Sequence, residues 1–391
     1  MKLSSRLFTA LAALGGTSAL LLGNQSAQSQ PSPTVVASYS VLCDLTEQIA
    51  QDTVEVDCLI EAGNDPHLYS ATPADRQAIE TADLVLYGGY GFEPDIIQMV
   101  EATDGDTPKI AVSEVAVTDP LLGEGHDHGH GEEEDHDDHG DEDHDDHDGE
   151  KGHSAQSKAG HEDHDHGEEG HDDHGKEEDH DDHGEEDHHD DEDHDDHGDE
   201  EGEPDPHVWH DAENGIEMVH VIEEQLSEAF PENAELYAAN AESLIDQLTV
   251  LDVWIKRQVA TVPESQRVLV TSHDALGYYA DAYGIRIEAA LESFSTEARP
   301  SAADLRELID LVEDSNLPSI FVEATSNPGL IEAVSRQTDI GISGEPIYAD
   351  GLGEAGTPAA TYTGMLMTNT CNIVTGLGGS CNEASMQAFL D

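Results

Sequence analysis

The chain has 391 residues with 88 acidic against 14 Lys and Arg, a formal charge of −74. That length allows two or three domains with real cores. The charge excludes nucleic-acid binding and docking on an anionic membrane, which need cationic surface, and leaves a cation as the natural partner.

Residues 1–29 read as a secretory signal peptide. Lys2 and Arg6 precede a mostly apolar run over 7–22, and Ala27-Gln28-Ser29 offers small residues for cleavage. The run is interrupted by Gly15, Gly16, Thr17 and Ser18, and at about 16 residues it is short for a span of ~20. No cysteine near it could carry a lipid anchor. A periplasmic protein, soluble after cleavage and monomeric, is expected.

From Thr34 short apolar runs alternate with helical stretches, the pattern of α/β units. Strands are predicted over 35–39, 54–60, 84–87 and 110–113, and helices over 42–51 and 72–81. The second helix opens on Thr72-Pro73, an N-cap followed by proline in the first turn. The strand over 84–87 runs into the glycine-rich turn Gly88-Gly89-Tyr90-Gly91.

Folding signals then stop. Residues 124–203 hold 40 acidic residues, 3 lysines and 19 of the 24 histidines, with Ala155 and Ala159 as the only apolar residues. Such a stretch, at 3 − 40 = −37, cannot bury enough surface to offset chain entropy and reads as a disordered insert. Its units run Asp-His-Asp-Asp-His-Gly, as at 135–140 and 179–184. A solvated acidic segment is the plain alternative. The histidines point instead to metal collection, because imidazole is largely neutral near pH 7 and the carboxylates concentrate cations. Candidate weak ligands are His126, His128, His130, His136, His139, His144, His147, His164, His166, His171, His174, His180, His183, His188, His189, His194 and His197.

Order returns at Asp205, with a helical run over 216–230. A long helix is predicted over 233–262, where Leu236, Leu244, Ile245, Leu248, Leu251 and Ile255 recur at three- and four-residue steps between Pro231 and Pro263. It would measure about 45 Å. Strands over 268–271, 285–289 and 319–323 and helices over 275–283, 302–315, 329–338 and 361–377 complete a second lobe. The expected fold is α/β: an N-terminal lobe over 30–230, a linking helix over 231–262 and a C-terminal lobe over 263–391.

Cys43, Cys58, Cys371 and Cys381 allow three disulfide pairings in an exported chain. Proximity favours Cys43–Cys58 and Cys371–Cys381, with four buried thiols as the alternative. No CxxC spacing suggests cysteine-bound zinc.

Outside the insert only His67, His207, His210, His220 and His273 remain. Two belong to a repeated tripeptide, Asp65-Pro66-His67 and Asp205-Pro206-His207, in which the proline stiffens the backbone and the aspartate is placed to orient the imidazole. His273 directly follows a strand, where side chains of an open α/β sheet face the ligand crevice. Asp350 has a similar placement and competes with Glu323 and Glu345 as an oxygen ligand. Three imidazoles and a carboxylate suit a borderline divalent ion such as Zn2+. His220 is assigned no role, and His210 is either an accessory ligand or an exposed residue. Tyr39 and Phe294 line the crevice or pack in the core.

These motifs resemble the metal-binding subunits of bacterial ABC importers for zinc and manganese, the zinc-uptake/TroA-like family, over about 35–377. Gly63-Asn64-Asp65-Pro66-His67-Leu68-Tyr69, Asp205-Pro206-His207-Val208-Trp209, Thr271-Ser272-His273-Asp274-Ala275 and the segment from Asp350-Gly351-Leu352-Gly353 are similar, in order, to the four ligand-bearing motifs. The resemblance implies two α/β lobes joined by one long rigid helix. It places the metal ligands His67, His207, His273 and Asp350 in the cleft and implies a membrane permease as partner, with no enzymatic activity. It favours Zn2+ over Mn2+, since manganese-selective members often carry Glu where His273 stands. The chain departs from the pattern at Gly88-Gly89-Tyr90-Gly91-Phe92-Glu93 and at His210, where an apolar residue is more usual. A zinc hydrolase would need an open coordination position and a general base, and no HExxH motif is present. A zinc buffer or adhesin on the same fold is the remaining alternative.

Overall fold

The first lobe is built from Thr34–Tyr39 (β1), Ser40–Ala50 (α1), Glu55–Ile60 (β2), Pro73–Thr81 (α2), Leu84–Tyr87 (β3), Pro94–Glu101 (α3), Lys109–Ala111 (β4) and Val112–Ala116 (α4). The computed structural model describes residues 32–123, 202–290, 293–315 and 317–390. The signal-peptide reading, and the insert reading up to residue 201, therefore lie outside the described residues.

β1 is buried along nearly its whole length because it is central: the order is β2-β1-β3-β4, with every pair parallel. A parallel sheet covered on both faces favours such continuous Val-rich strands. Helix α2 starts as its sequence requires, with the Thr72 hydroxyl accepting from the backbone of Asp75 and the Asp75 carboxylate accepting from Thr72 N–H. Two features differ from expectation. Helix α3 has no counterpart in the sequence reading, although Pro94 in its first turn signals it. The strand expected over 110–113 ends at Ala111 because Val112 and Ser113 turn into α4, where Ser113 N–H donates to Gly88 O at 3.0 Å. That tertiary bond outweighs the β-preference of valine.

Ala212–Ala229 (α5) and Ala234–Val259 (α6) follow. Over its 26 residues α6 runs about 39 Å. Its buried stripe is Tyr237, Ala241, Leu244, Leu248, Leu251, Ile255 and Val259, so four of the six expected apolar positions lie on it, Ile245 borders it half-buried, and only Leu236 is exposed, its place at the start of the stripe taken by Tyr237 and Ala241. Helix α6 packs against α1 and α5 of the first lobe. It also packs against Gly277–Tyr283 (α7), Tyr362–Gly376 (α10) and Glu383–Leu390 (α11) of the second. One continuous apolar core runs from β1 through α5 and α6 to α10, which makes the connection between the lobes stiff.

The second lobe repeats the first in plan. Val268–Thr271 (β5) pairs in parallel with Arg286–Ala289 (β6), and Ser319–Ile320 (β7) with Gly341–Ile342 (β8). A backbone bond from Phe321 N to Val270 O at 3.0 Å sets β7 beside β5. Ala302–Ser315 (α8) and Gly329–Thr338 (α9) cover this sheet around a small core of Val270, Val312, Ile320, Ile331 and Val334. The strand expected over 319–323 is shorter, with Glu323 forming only an isolated parallel bridge to Ile347. Both favoured disulfides are present: Cys43–Cys58 ties α1 to β2 with Cα atoms 5.7 Å apart, and Cys371–Cys381 ties α10 to the segment before α11 with 5.2 Å.

Candidate metal centre

The two Asp-Pro-His tripeptides fold into the same local turn. Asp65 Oδ1 accepts the backbone N–H of His67 at 2.9 Å, and Asp205 Oδ1 accepts that of His207 at 2.9 Å. Aspartate favours this turn because its short carboxylate reaches the backbone two residues on. His67 lies in the loop between β2 and α2, and His207 immediately precedes the single turn Val208–His210 that leads into α5. His273 leaves the carboxyl end of β5 and Glu323 lies just beyond β7, so both stand where the order β6-β5-β7 reverses. Such a point forms a crevice in open α/β sheets.

These loops bring together the four residues expected as ligands. His67 Nε2 and His207 Nε2 are 3.3 Å apart. Asp350 Oδ1 lies 3.1 Å from His273 Nε2, 3.5 Å from His207 Nε2 and 3.6 Å from His67 Nε2. One donor atom from each lies within 4.8 Å of the other three. A tetrahedron with metal–ligand bonds of about 2.0–2.1 Å has edges of roughly 3.3 Å, and four of the six separations, at 3.1–3.6 Å, lie close to that length. His67 is 5% exposed and the other three 0%.

A second layer of oxygens aims the rings. His207 Nδ1 donates to Asp205 Oδ1 at 2.8 Å and His273 Nδ1 to Glu323 Oε2 at 2.7 Å, which turns each Nε2 inward. Glu323 is itself held by the backbone N–H groups of Ser272 and His273 and by the Ser326 hydroxyl. The Thr325 hydroxyl donates to Asp350 Oδ2 at 2.6 Å, leaving Oδ1 for the centre. Asp65 does not repeat the role of Asp205. Its Oδ2 accepts from the Thr296 hydroxyl at 2.7 Å, and among the described residues no carboxylate backs the His67 ring.

The protonation balance follows these partners. Burial opposes a charge on His207 and His273, but Asp205 and Asp350 around the first, and Glu323 and Asp350 around the second, outweigh it and raise both pKa values. Burial wins at His67, whose pKa is lowered. Burial would raise Asp350, yet the three imidazoles hold it well below the usual carboxylate range. A buried carboxylate held in its ionised form among three imidazole nitrogens is the donor set of a divalent-metal site in chemical character.

An aromatic layer closes one side. Phe92 meets His67 edge-on at 4.9 Å and His207 at 5.4 Å, and Tyr39 and Trp209 pack on Phe92 at 4.9 and 4.7 Å. Tyr39 is fully buried, so it supports the site from the core, while Phe294 stands 6.4 Å from the His207 ring. Beneath them Glu93 accepts from the Ser38 hydroxyl at 2.6 Å and from Gly88 N–H at 2.7 Å, and burial pushes its pKa up to about 7. A Cβ at Gly88 would lie 2.7 Å from Glu93 Oε2, which explains the glycine at the turn that departs from the family pattern.

Of the remaining candidates, Glu345 and His220 are exposed and stand outside the cluster. Glu323, weighed as a rival oxygen ligand, backs His273 instead. His210 is neither an exposed residue nor one of the four: it is fully buried with Nε2 2.7 Å from Ala349 O. Thr325 and Thr296 carried no sequence signal, because their partners lie 25 and 231 residues away.

Comparison with known proteins shows the family. The family described as "Zinc-uptake complex component A periplasmic" (ZnuA) matches residues 35–376. The manganese-binding lipoprotein MntA of Halalkalibacterium halodurans is 29% identical over 343 residues, covering 88% of each chain. The zinc-binding protein TroA of Treponema pallidum is 27% identical over 360 residues, covering 91% of this chain and 92% of that protein. The solved structure of periplasmic zinc-binding TroA superposes with a TM-score of 0.66 at 26% identity over 88% of this chain and 99% of its own. No helix among the described residues is long and apolar enough to cross a membrane. The chain belongs to the ZnuA family, the metal-binding substrate-binding proteins of ABC importers, and is a binding protein rather than an enzyme.

Proposed function

We propose that this protein captures Zn2+ outside the inner membrane and delivers it to the permease of an ABC importer, with His67, His207, His273 and Asp350 as the ligands. The observation that carries the reading is the convergence of three imidazole Nε2 atoms on Asp350 Oδ1 at 3.1–3.6 Å in a buried pocket. Three nitrogens and one oxygen at tetrahedral spacing suit zinc, whereas manganese favours oxygen donors and a larger coordination number. Relatives named for manganese supply the second reading, manganese import.

Metal competes with protons for the imidazole nitrogens, most at His207 and His273, whose pKa values are raised, while the lowered pKa of Asp350 favours its ionised form. Because the ligands are nearly inaccessible, loading and release require the lobes to part slightly around α6, and the continuous core keeps that motion small. The His-rich stretch over 124–203 serves as a weak collector of zinc for the periplasmic protein, by composition.

The test is zinc binding by the full-length chain in chelator-buffered solution, where free zinc is too low to fill weak sites. His273→Ala and Asp350→Ala should each weaken zinc binding by well over ~100-fold, beyond the range of an outer partner, to an affinity still read with a weaker competing chelator, and unchanged tight binding by either would reject the centre. Competition between Zn2+ and Mn2+ at equal free concentration should leave zinc bound, while retention of manganese would favour the second reading.

A further inference from the structure

His210 has a tertiary contact that its neighbours in sequence do not explain. It sits at the end of the turn before α5, fully buried, and its Nε2 lies 2.7 Å from the carbonyl oxygen of Ala349. A carbonyl only accepts, so Nε2 carries the hydrogen. Burial holds the ring neutral, with its pKa pushed down to about 3, and Nδ1 has no hydrogen-bond partner among the described residues. The one polar bond that the ring makes among the described residues is therefore spent on Ala349.

That bond runs from the first lobe to the backbone of the second, 139 residues away. The Ala349 carbonyl shares one rigid peptide plane with the amide of Asp350, so fixing the oxygen fixes the plane from which the Asp350 side chain projects. Thr325 holds the far oxygen of that carboxylate at 2.6 Å. Asp350 is thus clamped at its backbone by the first lobe and at its carboxylate by the second. We propose that His210 is a positioning residue for Asp350, a cross-lobe clamp that sets how tightly the centre retains its metal. The inference rests on reading Asp350 as a ligand. Parting of the lobes breaks this bond as it withdraws the carboxylate, so retention and closure are coupled at one peptide group.

The experiment is zinc affinity of the full-length protein by chelator competition, with thermal unfolding of the metal-free variants as the check on folding. His210→Leu should weaken zinc binding by about tenfold, the lower end for an outer-shell partner. His210→Gln, whose amide can still donate, should recover most of that loss. In an Asp350→Ala background His210→Leu should change nothing further. Parent-like affinity of His210→Leu, an equally weak Gln variant, or the same loss with and without Asp350 would each overturn the proposal. If Asp350→Ala alone binds zinc as tightly as the parent, the ligand reading falls and the clamp with it. Should His210→Leu not fold, the Gln variant and its cycle with Asp350→Ala decide the matter: uncoupled losses reject the clamp.

Discussion

The tripeptide Asp-Pro-His occurs in two places with one local geometry and two chemical outcomes. At 205–207 the aspartate bonds both the backbone N–H and the ring Nδ1 of its histidine, at 2.9 and 2.8 Å, and the imidazole pKa rises. At 65–67 the backbone bond is the same, but the second oxygen accepts from Thr296, and the imidazole pKa falls. His207 is fully enclosed, and His67 keeps a sliver of exposure. The difference teaches that a motif sets the turn, while the strength of the ligand it presents is set by what packs behind it. On the proposed ligand set, His207 is the firmly oriented imidazole, and His67, with no carboxylate behind its ring among the described residues, should detach more easily than His207.

The strongest test of that contrast is removal of each ring. His207→Ala and His67→Ala should both lower zinc affinity beyond the ~10–100-fold typical of an outer-shell partner, with His207→Ala the worse. Chelator competition measures this, and exposed His220→Ala serves as the control that should change nothing. An equal effect of all three would dissolve the comparison.

The carboxylates come next. Asp205→Asn should cost about 10–100-fold in zinc affinity, and Asp65→Asn only a small fraction of that. The pH dependence sharpens the point. A raised folded pKa means that His207 holds a proton up to a higher pH, so zinc affinity should begin to fall above the ordinary imidazole value of 6.5 as the solution is acidified. Asp205→Asn should move that onset to lower pH, and an unmoved onset would show that Asp205 does not tune the ring.

Below both motifs lies the Phe92 floor, and Glu93 beneath it should titrate in the metal-free protein. Its folded pKa of about 7 exceeds the model-compound value of 4.5, so the stability it contributes is present at low pH and lost as pH rises from roughly 4.5 to 7. Glu93→Gln should therefore raise the unfolding temperature at pH 8 relative to the parent, by an amount equivalent to about 1–3 kcal/mol, with little gain at pH 4. A gain of the same size at both values would argue against a buried ionisation.

The smallest effect belongs to Thr296→Val. It frees the Asp65 oxygen without touching a ligand, so zinc should dissociate a fewfold faster, in line with the loss of one hydrogen bond worth about 0.5–1.5 kcal/mol. Stopped-flow transfer to a fluorescent chelator reads this rate. No change would mean that the contact between Thr296 and Asp65 does not hold the His67 arm.

Much of this protein is legible along the chain because it is local. Helix α8 occupies 302–315 as its periodicity requires, β3 and β5 occupy 84–87 and 268–271, and Thr72-Pro73 caps α2. The four centre residues stand at loop positions that their motifs mark, and each cysteine pairs with its nearer neighbour in sequence. What escaped depends on partners far away. The buried stripe of α6 runs through Tyr237 and Ala241 rather than Leu236, because α1 and α10 decide which side is covered. The turn of Val112 into α4 answers to Gly88 across the sheet edge.

Sequence by itself determined which chemistry is available: five histidines outside an acidic stretch, two in a stiffened repeat, and one at a strand end. Those features are set by residue type and by spacings of two to four residues, within which backbone geometry acts directly. Only the tertiary structure decided that Glu323 backs His273, that Asp65 turns to Thr296, and that His210 reaches the peptide before Asp350. Each of these contacts joins groups 50 to 231 residues apart, a separation at which packing of the two lobes around α6, and not local preference, chooses the partner.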